Sequence, residues 1–429
     1  AAVVPHGKVD GAGDVYLLRD TGQNAFLRAR ILLGGRQVDA VETPFTVAGT
    51  TYPAGSWIVQ APREAVEEVA ARTGLDFTAA TGLPADLRRH VVDLPRLGLL
   101  HTWTDTQDAG WARYTLDREK LDYTLINPDD LKRGGLASRF DVILFPSAHG
   151  DFAELVHGID PRFGPLDYTP SPEFPSLGIP DASPDITGGM GFEGLLNLQS
   201  FVREGGVLVA LGNAGTLAVE GGLVRRVERV PAGGFNTPGS ELRARVLRPE
   251  HPIVYGFEEL PSVFRGNGPL WDVRDADRGL AVLQFGTKEV PAKDEERPAK
   301  GAAGEGNGRA AGEASVPAAT IRAGEIEVED ADARPAIPAP VPPSASAAAP
   351  ETARAHPPEA KIPADKRELV VSGFVKGKDV VDGKPAILDV PVGKGRVILF
   401  AFNPLHRYLN HADFRFVYNV LLNWNDLPK

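Results

Sequence analysis

Short apolar runs alternating with amphipathic stretches organise most of this chain. Val15–Leu18 reads as a strand, and 24–33 as a helix whose apolar face draws on Ala25, Leu27, Ala29, Ile31 and Leu32. Val38–Val41, Phe45–Val47 and Ser56–Val59 alternate as strands of a small sheet do, and Thr50–Gly55 has the composition of a turn between two of them. Pro62 opens a helix carrying Val66, Val69 and Ala70 toward Gly74, with proline at its first turn and glycine at its end. From Leu94 the pattern changes. Leu97–Leu100, Tyr123–Ile126, Phe140–Phe145 and Gly206–Leu211 are near-continuous apolar runs, as expected of buried parallel strands. Helical patterns at Ala109–Leu116 and Phe192–Arg203 lie between them. Val397–Phe402 and Phe414–Leu422 add a strand and a helix near the end.

This alternation predicts an α/β fold: a doubly wound, mostly parallel sheet preceded by a small α+β domain. The boundaries read as 1–93 for the small domain, 94–287 for the first part of the α/β domain, and 367–429 for its completion. Between them, 288–366 is dominated by Ala, Pro, Glu and Gly. It is expected to be disordered, because too little apolar surface is available to offset the entropy of ordering.

Composition narrows the function. The 429 residues carry a net charge of −11, which argues against nucleic acid and anionic membranes as partners. Without a single cysteine there are no disulfides, thiolate nucleophiles or zinc–thiolate sites. The opening Ala1-Ala2-Val3-Val4-Pro5, lacking Met, reads as a processed start or, preferably, as a fragment of something longer.

In an open α/β sheet, ligands gather beyond the carboxyl ends of the strands. The predicted strand ends place His101, Trp103 and Asp105 after the first parallel strand, Ser147 and His149 after the third, Asn213 after the fourth, and Asn403 and His406 after the last. His101, Trp103, Asp105, His149 and Asn213 form the candidate binding pocket, with packing turns and polar loops as the alternative for each. Gly212-Asn213-Ala214-Gly215 has the form of a nucleophile elbow, yet neither Asn213 nor Ala214 can attack a carbonyl. Ser147 and His149 lack an evident carboxylate to orient the ring. His149, His157 and Asp160 show no metal-ligand spacing, and no His-Glu-x-x-His occurs. Trp111 and Tyr114 join Trp103 as aromatics near a strand end, where core packing competes with stacking on a ligand. No catalytic or metal residue is assigned.

Four stretches are similar to parts of large bacterial zinc carboxypeptidases of the carboxypeptidase A type. They are Arg96–Tyr114, Arg139–Pro146, Gly188–Gly212 with its Gly-Phe-Glu-Gly helix start, and Pro391–Phe400, in that order. The resemblance implies a flavodoxin-like, class I glutamine-amidotransferase-like domain following a peptidase domain. It also implies periplasmic or extracellular location, and zinc held by a His-x-x-Glu pair and a distant His in the peptidase domain. No position here matches those ligands. The expected role is therefore a non-catalytic C-terminal accessory region, partnered by the missing N-terminal peptidase domain and by peptide substrate, with no cofactor of its own. A stand-alone module binding a small molecule or peptide is the alternative. Active amidotransferases of this class use cysteine, so cysteine-dependent glutamine hydrolysis is excluded.

Overall fold

A computed structural model describes residues 6–231, 233–289 and 368–428. The stretch 288–366 read as a disordered insert lies outside the described residues, apart from its first two positions.

The leading region forms strands β1 (Val9–Asp10) and β2 (Val15–Leu18), helix α1 (Ala25–Leu33), and strands β3 (Gln37–Val41), β4 (Phe45–Val47), β5 (Thr50–Tyr52) and β6 (Trp57–Gln60). Helix α2 (Arg63–Thr73) follows, then β7 (Phe77–Ala80) and β8 (Arg89–Val91). Six of these strands make one sheet in the order β1-β7-β2-β6-β3-β8, antiparallel except for β1 against β7. Phe26, Leu27 and Leu33 of α1 and Val66 and Val69 of α2 share a buried core with the sheet. Gly74 ends α2 in the left-handed region at φ 74°, its N–H donating to the Ala70 carbonyl, the conformation glycine adopts most cheaply. One expectation is corrected here. Thr50–Tyr52 is a strand, not a turn; it pairs with Phe45–Val47, and the reversal is made by Ala48 and Gly49, both at positive φ.

The second region continues with β9 (Leu97–Leu100), α3 (Gln107–Glu119), β10 (Thr124–Ile126), α4 (Pro128–Arg133), α5 (Leu136–Arg139), β11 (Val142–Phe145), α6 (Phe152–His157) and α7 (Gly191–Glu204). Then come β12 (Val207–Leu211), α8 (Gly215–Glu220), β13 (Val227–Arg229), β14 (Ser240–Val246), β15 (Ser262–Arg265), β16 (Trp271–Val273) and β17 (Ala281–Phe285). The closing part adds β18 (Val370–Gly373), α9 (Lys378–Val381), β19 (Pro385–Val392), β20 (Gly395–Phe400) and α10 (His411–Leu422). A ten-stranded sheet runs β10-β9-β11-β12-β20-β19-β17-β14-β15, with β18 also on β14. The first five strands of that order are mutually parallel, and every later pairing is antiparallel. The fold is thus mixed α/β. The expected mostly parallel sheet is parallel over only half its strands, because β19 pairs antiparallel with β20 on its outer side and β17, β14, β15 and β18 continue the sheet antiparallel beyond it.

Two buried polar clusters pin the ends of the chain. Asp20, after β2, accepts from Arg415 of α10 at 2.7 Å, and the guanidinium also lies over the Phe26 ring. His251 donates from Nε2 to Asp389 at 3.0 Å and accepts the Ile253 N–H on Nδ1, which fixes a neutral tautomer. Arg396 holds the same Asp389 and the carbonyls of Leu427 and Pro428. Burial lowers the His251 pKa below its ordinary value, although Asp389 pulls the other way. A ring kept neutral in the fold leaves the unfolded chain binding more protons at acid pH. Stability is therefore expected to fall as pH drops below about 6.5, the ordinary histidine value. Urea midpoints measured from pH 7.5 to 5.5 should decline less steeply in His251→Gln; equal slopes would contradict this assignment.

Candidate functional site

The carboxyl ends of the parallel strands converge on one edge, and backbone connectivity explains which side chains meet there. β9 ends at Leu100 and delivers His101, which is 6% exposed. Its Nε2 donates to Asp181 at 2.7 Å, and the Asn127 amide after β10 donates to the same oxygen at 2.9 Å. Asn127 simultaneously caps α4 by accepting from the Asp129 and Asp130 N–H groups. Burial would raise the Asp181 carboxyl, but hydrogen bonds from His101 and Asn127 outweigh it and hold the group below the usual range. Trp103 stands edge-on to His101 at 4.8 Å and tilted against Tyr168 at 5.7 Å.

Asp105 and His149, from different strand ends, form a second pair. One Asp105 oxygen accepts both the His149 backbone N–H, at 2.7 Å, and its ring Nδ1. The Asp105 side chain is 11% exposed while the His149 side chain is 86% exposed. Among the described residues Nε2 of His149 has no hydrogen-bond partner. The orienting carboxylate that was not evident in the linear chain is therefore present, 44 residues upstream of the ring it holds. A third meeting joins His406, after β20, to Asp108 of α3 at 3.5 Å, with the His406 ring stacked on Phe264.

Asn213 sits at the predicted elbow after β12, and its amide is fully used. Nδ2 donates to the carbonyls of Ala148 and Gly150 at 2.6 and 2.7 Å, and Oδ1 accepts from Thr216 at 3.2 Å. Its backbone N–H donates to Ser147 Oγ. Asn213 braces the loop after β11 and offers no free polar atom to a ligand. The elbow itself has Gly212 at φ 53°, where a Cβ would lie 2.9 Å from Ser147 Oγ and 3.2 Å from Ser147 Cβ. A side chain at position 212 has no room unless Ser147 moves.

The five predicted pocket residues thus divide. His101 and Trp103 belong to one cluster, Asp105 and His149 to a second, and Asn213 is structural. A small cleft is lined by Thr102, Trp103, Pro128, Leu155, Ile159 and Ile186, so that Trp103 alone of the five faces it. Its cavity volume of about 10 Å³ is close to the least that holds one water molecule and is too small for a small-molecule ligand. Asp181 and Tyr168 were missed from sequence; both lie in a proline-rich stretch without strand or helix periodicity. Trp111 and Tyr114 stand edge-to-face, and Tyr114 packs against Tyr408 at 4.9 Å. Buried deeper is Asp413 of α10, which accepts the Phe264 N–H. Burial raises its carboxyl well above the ordinary value despite that bond, and neighbouring Glu241 pushes the same way.

Among the described residues no group of three or more His, Asp or Glu side chains is placed to hold a metal ion. Among the same residues, no helix is long and apolar enough to cross a membrane.

No protein-family model and no curated protein matches the chain. Among solved structures it is similar to a cytoplasmic protein from Salmonella typhimurium, at 11% identity and a TM-score of 0.33, over 80% of this chain and 91% of that one. A second cytoplasmic protein, from Salmonella typhimurium LT2, gives 13% identity and 0.32, over 76% and 97%. A GH42 β-galactosidase gives 10% identity and 0.31, over 85% of this chain and 32% of the enzyme. Likeness at this level assigns no function.

Proposed function

We propose that this chain is the non-catalytic accessory region of a secreted zinc metallocarboxypeptidase, working in the periplasm or outside the cell. In this reading the zinc and its His-x-x-Glu ligands reside in a peptidase domain outside this sequence, and the strand-end edge binds that domain or its peptide substrate without reacting. The observation that supports the non-catalytic part is the elbow after β12: neither Asn213 nor Ala214 can attack a carbonyl, and the Asn213 amide is committed to the carbonyls of Ala148 and Gly150. The parallel strands run in the chain order 2-1-3-4-5, counting β9 as the first, which supports a doubly wound, flavodoxin-like and amidotransferase-like classification.

A second reading is a stand-alone module that binds a peptide or small molecule, favoured by the exposed His149 ring that Asp105 holds at the strand-end edge. Reading the coding DNA upstream of Ala1 separates the two, since only the first requires an in-frame peptidase domain there.

A further inference from the structure

Residues 158–190 leave the sheet after α6 and return at α7 with almost no regular structure, yet they are firmly held. The two legs bond to each other through Gly188 N–H to Ile159 O, Ile186 N–H to Leu166 O and Tyr168 N–H to Ser183 O, at 2.8–3.0 Å. They are tied to the strand ends by Asp181 on His101 and Asn127, by Ser183 Oγ on Asp129, and by Tyr168 on Trp103. A surface fixed in this way loses little further freedom on binding.

That surface is apolar and acidic at once. Six of the twelve large apolar side chains that are exposed among the described residues fall between 163 and 196. Phe163, Phe174 and Ile179 are 60%, 54% and 67% exposed, and Phe192 and Leu196 of α7, four residues apart on one helical face, are each 60%. Scattered exposed apolar residues need no explanation, but half of those exposed falling in one stretch of chain sets it apart as a candidate contact surface. Over the 33 residues from 158 to 190 there are five carboxylates and one arginine, so the net charge is 1 − 5 = −4, against −11 for all 429. Asp160, Asp181 and Asp185 are used within the fold. Asp167 and Glu173 are exposed, have no ion-pair partner among the described residues, and directly adjoin Leu166 and Phe174 in sequence.

We infer that the 158–190 excursion, with the outer face of α7, docks a basic polypeptide segment whose lysines or arginines alternate with large apolar side chains. The apolar anchors supply affinity, while Asp167 and Glu173 select positive charge and speed encounter. Anionic lipid would be repelled by this surface. A second copy presenting the same face would set like charges against each other across a two-fold contact. The inference does not depend on the accessory-region reading.

The test is fluorescence anisotropy of the full chain with a labelled peptide of alternating Lys and Leu, against Glu/Leu and Lys/Gly counterparts. Saturable binding is expected for Lys/Leu alone, weakening with added salt. The double variant Phe163→Ser, Phe174→Ser should weaken it by roughly tenfold, as loss of two aromatic anchors does. The reversal Asp167→Lys, Glu173→Lys should transfer binding to Glu/Leu. The control Val371→Ser, Phe374→Ser, which removes exposed apolar groups elsewhere, should leave affinity unchanged. Far-ultraviolet circular dichroism verifies that each variant is folded. Absence of saturable binding, equal weakening by the control, or binding unaffected by both patch variants would overturn the inference. So would patch-dependent self-association in sedimentation.

Discussion

Arg415→Met is expected to destabilise the protein by roughly 3–5 kcal/mol, the cost of leaving one member of a buried ion pair behind. The Arg415 and Asp20 side chains are 3% and 0% exposed, so no solvent screens the charge that remains. The guanidinium also donates to the Gln23 carbonyl at 2.6 Å and covers the Phe26 ring, so both a hydrogen bond and packing are lost with it. Burial already pushes the Asp20 carboxyl up, with Arg415 opposing it. Without the arginine the carboxyl rises further and takes a proton in the fold. A group with a raised folded pKa contributes most at low pH and loses its contribution as pH rises through that pKa. The deficit of the variant should therefore shrink as pH falls toward 4. Adding Asp20→Asn should recover part of the loss at neutral pH, because it removes the stranded charge. Denaturant unfolding of the unaltered protein and the two variants measures this; a cost below about 1 kcal/mol for Arg415→Met would show that the pair is not what joins α10 to the leading region.

The second large effect belongs to the elbow. Gly212→Ser places a side chain on a residue at φ 53°, which costs about 1–2 kcal/mol for an L-residue. It also drives a Cβ into Ser147 at 2.9 Å, and overpacking of this kind adds about 1–3 kcal/mol. A total of roughly 2–5 kcal/mol is expected. Because the obstacle is one named side chain, Ser147→Gly should rescue part of the loss, and the double variant should cost less than the sum of the singles. Strict additivity in a double-mutant cycle would mean that the backbone conformation, and not Ser147, closes position 212 to a side chain.

The regular half of the sheet was legible because its strands are pure apolar runs. Leu97–Leu100, Val142–Phe145 and Val207–Leu211 are buried at every position, so no polar residue breaks the pattern. The antiparallel half was not read. β14 has the sequence Ser-Glu-Leu-Arg-Ala-Arg-Val, in which Arg243 is 5% exposed, and buried arginine mimics a solvent-facing position in a pattern of apolar residues. Thr50–Tyr52 was misread because Pro53 and Gly55 dominate the local composition while the actual reversal sits at Ala48-Gly49.

The candidate site shows the same division. Strand-end logic places His101, Asp105 and His149 at the carboxyl ends of the parallel strands, where they lie, since topology alone fixes where those residues emerge. Their pairings were out of reach. His101 meets a carboxylate 80 residues away, and His149 meets one 44 residues away. Asn213 was named for its position in the turn, and only the carbonyls of Ala148 and Gly150 show that its amide is committed to holding a loop.

The reading of this chain as the accessory region of a zinc carboxypeptidase meets its most direct test in the coding DNA upstream of Ala1. An in-frame extension carrying His-x-x-Glu, a later His and a Glu base is the predicted result. A start codon or signal sequence immediately upstream, with no peptidase domain between, would contradict the account and leave the stand-alone binding module in its place.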